Sequence, residues 1–207
     1  MENLAPMLIL ASQSAARKAL LAGAGLSFAT ARAEIDERAL EDDFRASGTD
    51  AVGIALALAE AKALAISKSQ KDTFVIGADQ TLALGKELLH KPIDRHDAAR
   101  QLDRLRGRSH QLHAGVALAK DNKILWSGVE TATLTLRNFS NAERDDVLTR
   151  EGDSILGCVG SYRLEGPSIR LFEKVDGDYF TILGLPLLPL LAALRAHAPS
   201  QLSEPAA

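Results

Sequence analysis

The chemistry in this chain begins with Asp79. It closes the apolar run Thr73-Phe74-Val75-Ile76-Gly77-Ala78, which reads as a strand, and an acid at a strand's end lies at the sheet edge where α/β folds place their sites. A carboxylate there can take a proton from water or hold a divalent cation. Other parts of the chain carry complementary groups. In Ser12-Gln13-Ser14-Ala15-Ala16-Arg17 a strand feeds a helix N-terminus. Unpaired N–H groups, the helix dipole, two hydroxyls and a guanidinium make an anion cradle there. Glu34-Ile35-Asp36-Glu37 groups carboxylates suited to a hard cation. Lys62 and Lys91 offer point charges to phosphate oxygens. Each segment alone also has an ordinary reading: a capped helix, a turn aspartate, a solvated acidic loop, surface lysines.

The segment Cys158-Val159-Gly160-Ser161-Tyr162-Arg163-Leu164-Glu165-Gly166 could face a base. Its glycines permit close backbone approach, Tyr162 offers a ring to stack, and Glu165 can accept from the N1–H and exocyclic amine of guanine. His90, His96, His110, His113 and His197 are scattered without metal-ligand spacing, and no Ser-His-Asp arrangement stands out. Cys158 lacks an evident histidine partner and is not read as a nucleophile. Neither a Walker A nor a GxGxxG pattern is present.

These groups need a scaffold. Leu8–Ala11 reads as a buried strand, and Ser14 caps a helix over Ala15–Ala22 that Gly23 and Gly25 stop. Residues 28–31 form a second strand, and 33–48 read as loop with at most a short helix. Asp50 caps a long alanine-rich helix over 51–67, with Val52, Leu56, Ala59, Ala63 and Ile66 along one face. The strand ending at Asp79 continues through Thr81–Leu84 into a turn at Gly85-Lys86. Asp94 caps a helix to Leu105 that Gly107 ends. Residues 109–119 and 123–136 are two strands around Lys120-Asp121-Asn122, and Ala132, Leu134 and Leu136 alternate with Thr131, Thr133 and Thr135. Ser140 caps a helix to Arg150. Residues 168–175 fit a strand or a short helix, and Pro186 opens a last helix over 187–196. Mixed strands and helices with hairpin-like pairs imply an α/β fold: a mixed, twisted sheet with flanking helices, in one domain over 1–197, followed by a disordered tail over 198–207.

Bulk properties narrow the function. The chain has 207 residues and a net charge of -3, so it has no general pull toward nucleic acid or anionic lipid, and an anionic ligand must be held locally. One cysteine excludes an intrachain disulfide and suits a reducing cytoplasm. The first ten residues do not read as a signal peptide, and no apolar run is long enough to span a membrane.

Taken in order, these segments resemble the Maf family of nucleoside triphosphate pyrophosphatases. The resemblance covers Leu8 to about Leu194. It rests on Leu8 to Arg17, Glu34 to Glu37, Lys62-Ala63, Gly77-Ala78-Asp79, Lys91-Pro92, Leu105-Arg106-Gly107-Arg108, Glu165-Gly166, Gly177-Asp178-Tyr179 and Gly184-Leu185-Pro186-Leu187. It implies two lobes around a deep cleft, a homodimer, and cleavage between the α and β phosphates with a divalent cation, Mg²⁺ or Mn²⁺. By the same resemblance Ser12, Arg17, Lys62 and Lys91 bind phosphates, Glu37 and Asp79 hold the metal, and Asp79 activates water. Many members have Pro-Arg-Arg where this chain has Ala15-Ala16-Arg17, Thr in place of Gln80, Gln in place of Glu165 and Lys in place of Cys158. Ala16 thus replaces a residue tied to pyrimidine preference. Gln80, Cys158, Ser161 and Glu165 look like the branch that hydrolyses 7-methyl-GTP, with Gln80 and Glu165 reading the substrate. That branch can carry an aromatic residue at the position of Ala16, so a stacking partner is either missing or supplied by Tyr162.

The expectation is therefore a cytoplasmic pyrophosphatase acting on 7-methyl-GTP or another modified nucleotide, with no nucleic-acid or membrane partner. The alternatives are a dTTP/UTP pyrophosphatase and a non-catalytic nucleotide-binding regulator of cell division.

Overall fold

The computed structural model describes residues 8–202. Residues 1–7 and 203–207, most of the N-terminal segment and the end of the expected tail, lie outside the described residues. The expected α/β fold is present: seven strands form one mixed sheet, with helices packed on it. β1 (Leu8–Ala11) pairs in parallel with β2 (Ala29–Thr30) and with β3 (Phe74–Leu84). β3 pairs antiparallel with β4 (Glu87–Leu89) and β5 (Ser109–Lys120), and the sheet continues through β6 (Lys123–Leu136) to β7 (Phe172–Asp176).

The register of β3 creates the cleft. On one edge β1 pairs with it as far as Gly77, and β4 begins only at Leu82. Residues 78–81 therefore face a gap on that edge, while their other edge is fully paired to β5. Two cores flank the gap. Leu8, Leu10, Leu21, Ile76 and Leu190 pack on one side, and Leu82, Leu102, Leu112, Leu134 and Phe139 on the other. β3 and β5 run through both and join the lobes.

The helices are α1 (Ala15–Gly23), α2 (Glu37–Ala46), α3 (Ala51–Ser67), α4 (Arg95–Leu105), α5 (Asn141–Glu151), α6 (Tyr179–Ile182) and α7 (Leu187–His197). Ser14, Asp50, Asp94 and Ser140 cap α1, α3, α4 and α5 as expected, and Ser140 with Glu143 completes a capping box.

α3 lies on the sheet through glycine. A Cβ at Gly77 would sit 2.1 Å from the Ala59 carbonyl oxygen, and one at Gly115 would sit 2.3 Å from that of Ala55. This contact selects the buried face, which holds Ile54, Ala55, Leu58, Ala59, Lys62 and Ala63. The expected stripe is corrected accordingly: Val52, Leu56 and Ile66 lie only half-buried beside it. Apolar residues surround this helix, so periodicity alone had no face to choose.

Three further readings change. Residues 33–48 contain a full helix, α2, whose apolar stripe is only Leu40 and Phe44, too thin to register as periodic. Residues 167–171 form a 3-10 turn that runs into β7, so the ambiguous segment is both helical and extended. Order also extends beyond 197: Ala198 is buried, and Pro199–Gln201 forms another 3-10 turn.

Candidate active site

A cleft of about 1290 Å³ opens over the gap in β3, large enough for a nucleoside triphosphate. Ser12, Arg17, Glu37, Lys62, Asp79, Gln80, Lys91 and Glu165 all line it. The fold thus gathers these eight residues from positions spanning most of the chain, while Glu34, Asp36 and Ser161 do not line the cleft.

At the centre is an ion triad. The Lys62 ammonium, carried on the buried face of α3, donates to Asp79 Oδ1 at 2.6 Å and lies 2.8 Å from Glu37 Oε2. The Lys62 and Asp79 side chains are only 10% and 12% exposed, whereas Glu37 is 54% exposed. The inner pair is therefore shielded from water, and Glu37 closes it from the solvent side. Lys62 reaches Asp79 because Gly77, two residues earlier on the same face of β3, lets α3 settle onto the strand.

The acidic segment does not act as a cluster. Asp36 caps α2, accepting from the Ala39 N–H at 3.0 Å, and Glu34 is exposed. Among the described residues, no group of three or more His, Cys, Asp or Glu is placed to hold a metal by itself. Glu37 and Asp79, both bonded to the Lys62 ammonium, are the two cleft carboxylates that would hold a divalent cation.

Arg17 and Gln80 are bound more tightly into the protein than their expected roles imply. Arg17 Nε donates to the Gly184 carbonyl at 2.8 Å, and its Nη1 donates to Ala78 O at 2.8 Å and Ser12 Oγ at 3.1 Å. Burial lowers its pKa from the ordinary arginine value, and Asp79 and Glu37 oppose that shift. Gln80 Nε2 donates to the carbonyls of Thr181 and Ile182 at 3.1 and 3.0 Å. Two carbonyl acceptors fix the orientation of this amide, so its N–H groups are spent on α6. Both residues brace the segment 181–184 against the cleft.

Lys91 is exposed at the opposite rim. Its neighbour His90 offers a carbonyl to Gln101 Nε2 at 3.0 Å, while Gln101 Oε1 accepts from Ser161 Oγ at 3.1 Å. One buried amide thereby ties the Lys91 segment to the loop 158–166. Within that loop, Arg163 Nε donates to Glu165 Oε1 at 3.1 Å. Arg163 also lies 3.5 Å from the fully buried Glu151, which accepts from Ser168 N–H and Oγ.

Tyr162 does not present a stacking face. It is 4% exposed, its hydroxyl lies 2.6 Å from His110 Nε2, and its ring packs edge-on against Phe172. Burial pushes its pKa well up and holds His110 down at about 4. Burial, then the charge of Glu165, raises the Cys158 thiol, so it stays protonated near neutrality and is no nucleophile.

Sequence reasoning missed Gln101, Glu151 and Glu41. Glu41 lines the cleft with a buried Oε1 that has no hydrogen-bond partner among the described residues; His90 Nε2 is 3.5 Å and Arg45 Nη1 3.7 Å away. Its signal was available, since Glu41 lies one turn after Glu37 on the same helix face.

The sequence matches the family described as Maf-like protein over residues 7–197. The chain belongs to the Maf family. Among its Maf relatives, the 7-methyl-GTP pyrophosphatase of Brucella abortus biovar 1 (strain 9-941) is 52% identical over 91% of this chain and 94% of its own. The 7-methyl-GTP pyrophosphatase of Rhizobium meliloti (strain 1021) is 50% identical over 92% and 96%. The nucleoside triphosphate pyrophosphatase of Bradyrhizobium diazoefficiens is 51% identical over 92% and 93%.

Proposed function

We propose that this Maf protein is a nucleoside triphosphate pyrophosphatase whose substrate is 7-methyl-GTP or a closely related modified guanine nucleotide, cleaved to the monophosphate and pyrophosphate. The observation that carries the reaction is Asp79, a carboxylate held at the cleft wall by a buried lysine. A protein that only binds nucleotides has no use for such a group.

Asp79 Oδ1 is committed to Lys62, which leaves Oδ2 to orient a water and take its proton as the oxygen attacks the α phosphorus. The bond between that phosphorus and the bridging oxygen to the β phosphorus breaks, and pyrophosphate departs. Lys62, Lys91 and the N–H groups at the start of α1 offset the negative charge that grows on the phosphate oxygens. Ser12 and Arg17 shape that end of the cleft, Arg17 chiefly by fixing the backbone at Ala78 and Gly184. Glu37 and Asp79 would hold a divalent cation, which would supply further neutralisation of the phosphate charge.

The choice of base rests on Glu165. A carboxylate matches both the donor edge of guanine and the positive charge of a 7-methylated ring. Two relatives near 50% identity carry the name 7-methyl-GTP pyrophosphatase. A third of similar identity carries the broader name, so the residues must carry the distinction. Gln80 contributes by anchoring α6.

The test is product analysis by ³¹P NMR of 7-methyl-GTP incubated with enzyme and Mg²⁺ or Mn²⁺. Monophosphate and pyrophosphate in equal amounts are expected. Diphosphate with orthophosphate, or no turnover, would refute the proposal.

A further inference from the structure

The groups described so far hold phosphates and meet one edge of a base, yet give its flat face nothing to rest on. Among the described residues, the Phe, Tyr and Trp side chains lining the cleft are Tyr162 and Tyr179. Tyr162 is buried and bonded to His110. Tyr179 is 47% exposed. It opens α6, one turn before Ile182, and residues three apart on a helix are neighbours on its surface. Ile182 packs in the same core as Tyr162 and Leu82, so Tyr179 stands where α6 meets the loop that bears Glu165.

This ring is also well positioned. Asp178 caps α6 by accepting from the Thr181 N–H at 2.8 Å, Gln80 holds the carbonyls of Thr181 and Ile182, and Arg17 holds that of Gly184. Phe180 meets the Tyr179 ring edge-on, with centroids 6.1 Å apart. Ala15 and Ala16 line the same cleft with no more than a methyl group each, which leaves a ring-sized ligand room.

We infer that Tyr179 is the base-stacking wall of the cleft. Its face takes the purine ring while Glu165 meets the ring's edge. This inference rests on the proposal that the cleft binds a nucleotide. It supplies the stacking partner that the small residue at Ala16 does not. A 7-methylated guanine carries positive charge, so it gains from the negative face of the phenol ring beyond ordinary stacking.

The test is calorimetric titration of 7-methyl-GMP and GMP into wild type, Tyr179→Leu, Tyr179→Phe and Tyr179→Trp, in EDTA so that no metal-dependent step enters. Leucine keeps apolar contact and removes the π face. It should weaken 7-methyl-GMP about tenfold and GMP about threefold, whereas Phe and Trp stay within about twofold or tighten. KM for 7-methyl-GTP should rise with the same pattern while kcat changes about twofold or less. Circular dichroism on each variant excludes a folding defect, and the Phe and Trp variants keep the outcome readable if leucine unfolds the protein: a loss in either would overturn the inference. So would a leucine variant that binds both ligands within about twofold of wild type. If wild type instead prefers dTMP, the 7-methylguanine reading fails. Stacking is then upheld if Tyr179→Leu weakens dTMP and overturned if it does not.

Discussion

Replacing Lys62 by methionine tests the ion triad at its centre. Methionine keeps most of the aliphatic stem and removes the ammonium that joins Asp79 and Glu37. The two carboxylate oxygens, 2.8 and 2.6 Å from that ammonium and so at most about 5 Å apart, then face each other with nothing between them. At an effective dielectric near 20 their repulsion is about 3 kcal/mol, roughly halved because Glu37 is half exposed. Asp79, shielded from water, also loses a charge-assisted hydrogen bond worth roughly 1.5–3 kcal/mol. The sum is a loss of about 3–4.5 kcal/mol in unfolding free energy at pH 7, read by urea denaturation without divalent cations. Adding Asp79→Asn to Lys62→Met should restore at least half of it, because the orphaned buried charge is gone. In the same preparation kcat/KM for pyrophosphate release should fall about 10²–10³-fold, the scale of losing a charged group from a transition state. A Lys62→Met protein within about 0.5 kcal/mol of wild type, or a double variant no more stable than the single, would show that the triad is not coupled as its geometry implies.

Asp79→Asn alone should lower kcat about 10³-fold and leave the far-ultraviolet circular dichroism unchanged, since Lys62 keeps Glu37; near-normal turnover would remove Asp79 from the chemistry. Gly115→Ala should cost about 1–3 kcal/mol in urea denaturation, because its methyl group meets the α3 backbone at Ala55. His110 stays neutral in the fold down to about pH 4, whereas an unfolded histidine takes up its proton near 6.5. Its contribution is therefore intact above pH 6.5 and is lost as pH falls from 6.5 to 4, by on the order of 3 kcal/mol. His110→Gln should flatten that part of the stability profile, and an unchanged slope would place the acid sensitivity elsewhere.

Much of this was legible in the chain. Caps at Ser14, Asp50, Asp94 and Ser140 mark the starts of four helices, and the alternation at 131–136 gives the buried face of β6. The family resemblance points to Ser12, Arg17, Glu37, Lys62, Asp79, Gln80, Lys91 and Glu165, and the fold brings these eight to one cleft. What escaped was whatever depends on a third partner. The buried face of α3 is set by glycines on other strands. Arg17 and Gln80 carry the donors expected of ligand-binding groups, but Arg17 Nε and Gln80 Nε2 find acceptors about a hundred residues or more away at 181–184. Tyr162 and Tyr179 look equivalent as residues, and only tertiary packing buries one and exposes the other. Asp36 and Glu37 are adjacent acids, yet one is spent on a helix end and the other turns to Lys62.

The most direct test of the whole account is kcat/KM for pyrophosphate release with Mg²⁺ or Mn²⁺ across 7-methyl-GTP, GTP, dTTP, UTP, 5-methyl-UTP and ITP. Turnover with 7-methyl-GTP clearly ahead is expected, with monophosphate formed in step with pyrophosphate. A lead for dTTP or UTP would contradict the role given to Glu165, and no turnover of any nucleotide would contradict the enzyme itself.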